Sequence, residues 1–210
     1  MIYLIITTSI NNKIGIITEL TKINRNNRYI ECINQLLELI KLDTDIKPII
    51  VENNGLRNTY LNNFNCDIVY TNNNFYDFNH KGYNELLDIK EVINKYNIKD
   101  DDIIIKLTGR YKLLNMDFIN IVKNNNKDAY IKFFNVCTKQ FTYNDSVLGL
   151  YAIKCKYLKL FNYNELNNKS TEIEFAEYVR SIIDKNNLIE IENLNLEYCL
   201  YLDELNILIV

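Results

Sequence analysis

The stretch from Asp100 to Tyr111 carries the densest chemistry in the chain, reading Asp-Asp-Asp-Ile-Ile-Ile-Lys-Leu-Thr-Gly-Arg-Tyr. Three isoleucines run straight into Lys106, and a turn of small residues, Thr108 and Gly109, then delivers Arg110 and Tyr111. An ammonium inside an apolar strand is costly unless an anionic or polar group satisfies it, and glycine lets a backbone approach a ligand closely. Lys106 and Arg110 together have the charge to clamp a phosphate or diphosphate, the guanidinium in a two-pronged manner. The competing reading is an edge strand with a solvated lysine and an arginine held in a structural ion pair. Asp100, Asp101 and Asp102 look like a metal cluster by composition, but they sit at the wrong end of the strand for a ligand crevice and read as its polar lead-in.

A second group lies at Asn79-His80-Lys81-Gly82-Tyr83-Asn84-Glu85, at the start of a helical pattern. The N-terminus of a helix attracts anions, so Lys81 and Gly82 suit a phosphate or a sugar hydroxyl. Glu85 either accepts hydrogen bonds from a sugar or complements the helix dipole. His80 is the only histidine, has no distinctive serine context, and reads as a surface residue. Two more groups follow strand-like runs: Thr7-Thr8-Ser9, suited to a base, ribose or phosphate, and Glu52-Asn53, where the carboxylate is either a ligand or a turn cap.

The elements that must position these residues follow from hydrophobic spacing. Short Ile- and Val-rich runs at 2–7, 48–52, 67–71, 103–107 and 129–134 read as strands. Helical patterns alternate with them, with Ile30, Ile33, Leu37 and Ile40 on one face and Leu86, Ile89, Ile93 and Tyr96 on another. A further helix is expected to start near Asn115 as its N-cap. This alternation predicts an α/β fold with a mainly parallel sheet flanked by helices. Beyond Cys137 the pattern turns irregular and α+β in character. Short strands are expected at 140–143, 148–154, 188–191 and 198–202, and a helix at 171–185 with Thr171 and Glu174 as a capping box and Phe175, Val179 and Ile182 buried. The tail at 205–210 reads either as a last strand or as a surface packed on a second copy. No linker or repeat divides the chain, so 1–210 is expected to be a single domain with halves at 1–135 and 136–210.

Composition narrows the class of protein and weakens one kind of argument. Asn and Ile number 35 and 32 of the 210 residues, the bias an AT-rich genome would impose, so Asn runs such as 72–74 carry no functional weight. A net charge of −3 gives no global footprint for nucleic acid or an anionic membrane. The five cysteines are scattered with no C-x-x-C, which points to reduced thiols. The first apolar run, at 2–7, is too short for a signal peptide, and no run approaches a membrane span. A soluble, cytoplasmic protein is expected.

With those residues in place the chain resembles a small GT-A-type glycosyltransferase, in which a Rossmann-like half binds a nucleotide-sugar and a more variable half receives the acceptor. Thr7-Thr8-Ser9, the stretch 79–85 and the block 102–111 carry the likeness, which covers roughly 2–160. The Lys-x-Thr-Gly-Arg-Tyr string is similar to one in small bacterial and viral glycosyltransferase-like proteins. The resemblance implies a nucleotide-sugar co-substrate, a UDP-sugar foremost, and a glycan or other hydroxyl acceptor. It also implies donor contacts from Thr7, Thr8, Ser9, Glu52, Asn53, Lys81, Gly82, Glu85, Thr108, Gly109, Arg110 and Tyr111. Members of the fold usually hold a divalent metal with Asp-x-Asp at the end of the fourth strand. Here that position reads Leu107-Thr108-Gly109-Arg110, so the expectation is a metal-independent enzyme in which Lys106 and Arg110 stabilise the leaving diphosphate. Asp145 is the first candidate for the base of an inverting transfer, ahead of Glu172 and Glu174; a turn-forming aspartate is its alternative role. A sugar-nucleotide pyrophosphorylase needs a Gly-rich loop after the first strand, and residues 7–12 contain no glycine. The rival from another class is a non-catalytic nucleotide- or glycan-binding protein on the same scaffold.

Overall fold

A computed structural model describes residues 1–11, 19–55, 57–75, 81–133, 145–163, 169–199 and 207–210. The predicted strand at 140–143, His80 and the first part of the 205–210 tail lie outside them.

The chain begins with β1 (Ile2–Thr8), then α1 (Glu19–Leu39), β2 (Ile46–Glu52), β3 (Asp67–Tyr70) and α2 (Lys81–Tyr96). It continues through β4 (Ile103–Thr108), β5 (Lys112–Leu113), α3 (Asp117–Asn124), β6 (Ala129–Ile131), β7 (Leu150–Lys154) and α4 (Cys155–Leu160). It ends with α5 (Thr171–Ile182), β8 (Leu188–Glu190), β9 (Leu196–Cys199) and β10 (Ile207–Ile209). Seven strands form one sheet in the order β3-β2-β1-β4-β7-β6-β8; β10, β9 and β5 form a small second sheet. Pairings around β1 are parallel, and β7 is antiparallel to both β4 and β6.

The strands read as unbroken apolar runs because both faces of the sheet are covered. Along β1, Leu4 and Ile6 face the layer containing Ile33, Leu36 and Phe118, while Ile5 faces the layer containing Leu86, Ile89 and Phe175. α1 and α3 therefore cover one face, and α2, α4 and α5 the other. Pro48 is tolerated in β2 because β3 joins only from Ile49 onward, so the missing amide interrupts no pairing there.

Three local expectations are corrected. The buried stripe of α1 is Tyr29, Cys32, Ile33, Leu36 and Ile40, and Ile30 points outward; the apolar count had drawn the stripe too far round the helix. α5 is capped by Ser170, whose side chain accepts from the Ile173 amide, rather than by Thr171, and it buries Ile183 while leaving Ile182 exposed. Asn115 does engage the Asp117 amide, but from one residue before the Met116 cap.

At Gly82, α2 packs tightly on the start of α5. A Cβ built there would lie 2.4 Å from Thr171 Oγ1 and 2.7 Å from Thr171 Cβ. Gly82→Ala is expected to destabilise the protein by roughly 1–3 kcal/mol despite alanine's helix preference, through overpacking. Pairing it with Thr171→Gly should make the losses less than additive. Denaturant melts of the single and double variants test this; additive losses would mean that the two helices do not meet there.

Candidate functional site

The chain winds outward from β1 to β2 and β3, then crosses back to place β4 on the other side of β1. That reversal opens a crevice at the carboxyl ends of β1 and β4. Thr7 pairs with Thr108 across it, and the Gly109 amide donates to the Thr7 carbonyl at 2.9 Å. A Cβ on Gly109 would lie 3.0 Å from Thr8 Cγ2 and 3.1 Å from Ile6 Cγ2, so this glycine lets the turn lie against β1.

Lys106 is not on an edge. Its strand lies between β1 and β7, and the side chain is 2% exposed. Nζ donates to Glu85 Oε2, Thr108 Oγ1 and the Leu148 carbonyl, each at 2.7 Å. All three ammonium hydrogens have acceptors, so the group satisfying Lys106 comes from within the protein. Burial works against ionisation of Glu85, but the Lys106 charge outweighs it and holds the carboxyl below its ordinary range. Glu85 Oε1 also accepts from Thr7 Oγ1 at 3.4 Å, and the carboxylate keeps a solvent face. A small cavity beneath the pair is walled by Leu148, Tyr151, Tyr163 and Phe175.

Glu52 is buried and organises the turn after β1. It accepts from Thr8 Oγ1 at 2.6 Å, from the Ile10 amide at 3.1 Å and from both the backbone and side chain of Asn54. This is the turn-holding alternative for that residue. Asn53 instead donates its amide to Asp88 at 3.0 Å. Gly82 packs on Thr171; Lys81 opens α2, and its side chain lies outside the described set. Asp145 is buried and accepts from the Ser146 amide at 2.8 Å, in the segment whose Leu148 carbonyl receives Lys106.

Arg110 lies at the mouth of the crevice, its guanidinium 4.8 Å from the Tyr111 ring centroid and its Nη2 donating to the Tyr111 hydroxyl at 3.1 Å. Tyr111 in turn stacks on Tyr198 with centroids 4.0 Å apart. The Arg110 carbonyl accepts from Arg28 Nε at 3.0 Å, and Arg28 pairs with Glu197 at 2.6 Å. Arg25 Nε donates to the Ser9 carbonyl at 2.9 Å, and the Tyr29 hydroxyl receives both Arg25 Nη2 and the Ser9 amide. Arg25, Arg28 and Tyr29 were missed by sequence reasoning. The signal available was helical spacing on α1: Tyr29 lies four and seven residues before Ile33 and Leu36, and Arg25 four before Tyr29.

The described carboxylates nearest the crevice floor are already engaged. At the end of β4 stands a guanidinium, Glu52 is filled by hydrogen-bond donors and Glu85 is paired with an ammonium. Among the described residues no three His, Cys, Asp or Glu side chains converge, and the aspartates at the other end of β4 engage Lys159 through Asp100 and the Lys99 amide through Asp102. Cys32, Cys66 and Cys155 are free thiols. No helix among the described residues is long and apolar enough to cross a membrane.

No family model matches this sequence, and no curated protein sequence matches it either. Solved structures do match its fold. A Bacillus anthracis protein described as a glucose-1-phosphate thymidylyltransferase superimposes with a TM-score of 0.60 at 10% identity, covering 96% of this chain and 91% of that one. A Desulfovibrio desulfuricans protein described as a nucleotide-diphospho-sugar transferase gives 0.55 at 7% identity, covering 90% and 79%. A nucleoside-diphosphate-sugar pyrophosphorylase of Vibrio cholerae gives 0.52 at 10% identity, covering 96% of each chain. This chain shares with those proteins its fold, a mostly parallel seven-stranded sheet flanked by helices, which is the α/β architecture that the sequence predicts.

One buried carboxyl beside the crevice titrates near neutrality. Asp88, wholly buried on α2, accepts from Thr71 Oγ1 at 2.6 Å, Asn73 Nδ2 at 2.7 Å and Asn53 Nδ2 at 3.0 Å. Burial raises its pKa to about 7, against the pull of those three donors. Asn53 Oδ1 has no partner; turning that amide over would let protonated Asp88 donate to it. Because the folded pKa is raised, the stabilisation is complete below the ordinary carboxyl range and is lost as pH rises through 7. Melts from pH 5 to 8 should show wild type losing roughly 2–4 kcal/mol relative to Asp88→Asn. Parallel curves for the two proteins would contradict it.

Proposed function

We propose that this chain transfers a glycosyl group from a nucleotide-diphosphate sugar to a hydroxyl acceptor, with no metal at the end of β4. The observation that carries the reading is a guanidinium, Arg110, standing at the carboxyl end of β4 in the switch-point crevice of this fold. In the reaction the acceptor oxygen bonds to the anomeric carbon, the bond from that carbon to the diphosphate breaks, and negative charge collects on the departing diphosphate. A cation preorganised there stabilises that charge as it develops.

The remaining residues take roles that suit their surroundings. Lys106 positions Glu85 and keeps it ionised, which makes Glu85 an acceptor for sugar hydroxyls and a weak base. Thr7, Thr8 and Thr108 line the floor, and Ser9 stands at its rim. The nucleoside lies toward β3, where Tyr70, Asn72, Asn73 and Phe75 wall a polar hollow beside Arg57 and Glu91. Strands about 4.8 Å apart put that hollow roughly 10–14 Å from β4, a span a nucleoside diphosphate can bridge. For an inverting transfer, Asp145 is the carboxylate assigned to receive the acceptor's proton.

Purified protein is expected to hydrolyse a UDP-sugar slowly, with water in place of the acceptor, and equally fast in EDTA and in Mn²⁺. Arg110→Ala should lower that rate by about 100-fold or more. A rate that needs Mn²⁺ would contradict the metal-free arrangement. Nucleotide binding without turnover of any UDP-, GDP- or CMP-sugar would instead favour a non-catalytic binding protein. With an acceptor supplied, Asp145→Asn should slow transfer while leaving donor affinity unchanged.

A further inference from the structure

Four cationic side chains are more than nine-tenths buried among the described residues: Arg25, Arg28, Lys106 and Lys132. Buried cations are normally paired with carboxylates. Arg28 pairs with Glu197, Lys106 with Glu85, and Lys132 donates to the Glu192 carbonyl with the Glu192 charge nearby. Among the described residues Arg25 has the Ser9 carbonyl and the Tyr29 hydroxyl as acceptors, and none for its Nη1. Glu52, which with Arg25 bears electrostatically on Tyr60, has its oxygens occupied by Thr8, Ile10 and Asn54.

The same excess of donors extends to the neighbours of Arg25. Its guanidinium lies 5.2 Å from the Tyr29 ring centroid. The Tyr29 hydroxyl accepts two N–H groups, and no acceptor for its own hydrogen is found among the described residues. Tyr29 also bears electrostatically on Arg110, whose Nε is buried without an acceptor and which has no carboxylate within ion-pair distance among the described residues. Arg25 Nη1, Arg110 Nε and the Tyr29 hydroxyl are thus three donor groups with no acceptor among the described residues. Ser9 and Arg110, both only half-buried, form the solvent side.

We propose that Arg25, Tyr29 and Arg110 form an anion seat that takes the diphosphate of the nucleotide donor. The seat rests on the glycosyl-transfer reading for its ligand, and on the unpaired donors for its chemistry. It makes Arg25 a second cation on the leaving group, reaching from α1 beneath the β1 turn. Lys106, engaged by Glu85, has no part in it.

Calorimetric titration with UDP and with inorganic pyrophosphate tests the seat. Wild type should bind both, more weakly as salt rises, and Arg25→Gln should weaken both by tenfold or more. Tyr29→Phe, which removes only the hydroxyl, should weaken both several-fold. Should Arg25→Gln fail to fold, Arg25→Lys keeps the charge without the fork and should also bind several-fold more weakly. Folded Arg25 variants with wild-type affinity for both ligands would overturn the proposal. Arg25-dependent pyrophosphate binding in a protein that turns over no nucleotide-sugar would support the seat and overturn glycosyl transfer. Turnover of a nucleotide-sugar with affinities unmoved by Arg25→Gln would do the reverse.

Discussion

A single ammonium in the middle of the sheet governs how the crevice is built. Lys106 sits on a strand flanked on both sides, and burial of that charge is tolerable only with complete internal satisfaction. Its three acceptors come from α2, from β4 itself and from the segment leading into β7. One side chain therefore ties the helix that carries Glu85 and Asp88 to the strands whose ends form the floor. Breaking such a pair by removing one partner costs about 3–5 kcal/mol, toward the lower end here because Glu85 keeps a solvent face. The same engagement occupies all three ammonium hydrogens of Lys106, and in the proposed reaction the electrostatic work falls to arginines.

Those arginines reach the site through the other face of the sheet. α1 contributes Arg25 and Arg28 on the stripe that also buries Tyr29, Ile33 and Leu36, and Arg28 holds the Arg110 carbonyl while pairing with Glu197 on β9. β9 belongs to the small second sheet, and Tyr198 on it stacks against Tyr111. Gly149 makes room for that stack: a Cβ there would lie 2.5 Å from the Tyr111 ring. The C-terminal third is thus joined directly to the turn that carries Arg110, and changes in it are felt at the mouth of the crevice.

The legible part of this fold is the part governed by local period. Strands buried on both faces and an amphipathic α2 leave patterns a single sequence displays, and the parallel half follows from them. Of the second sheet, strands were expected at 198–202 and in the 205–210 tail, but their partner was not legible, since β5 is two residues long and pairs with a strand more than eighty positions away. At the candidate site, residue types pointed to the carboxyl ends of β1 and β4 but not always to the partners found there. Lys106 was expected to meet a ligand and meets Glu85; Glu52 was open between two roles and holds the β1 turn. Arg25 was invisible because a mid-helix arginine ordinarily covers solvent, and only the true rotation of α1 carries it inside.

The β1 turn also bears on what kind of transfer this scaffold can support. Glycine-rich loops bind phosphate with backbone amides left free to point at it. Here the Ile10 amide is held by Glu52 and the Ser9 amide by the Tyr29 hydroxyl, so this turn has two fewer amides to offer. The proposed anion binding at this edge then falls to side chains with a donor left over among the described residues, Arg25 beneath the turn and Arg110 across from it. A guanidinium pair suits a diphosphate that departs whole and gains negative charge as its bond to the sugar breaks. A backbone cradle suits a phosphate that is itself attacked. That division is the ground on which glycosyl transfer, rather than nucleotidyl transfer, is proposed for this chain.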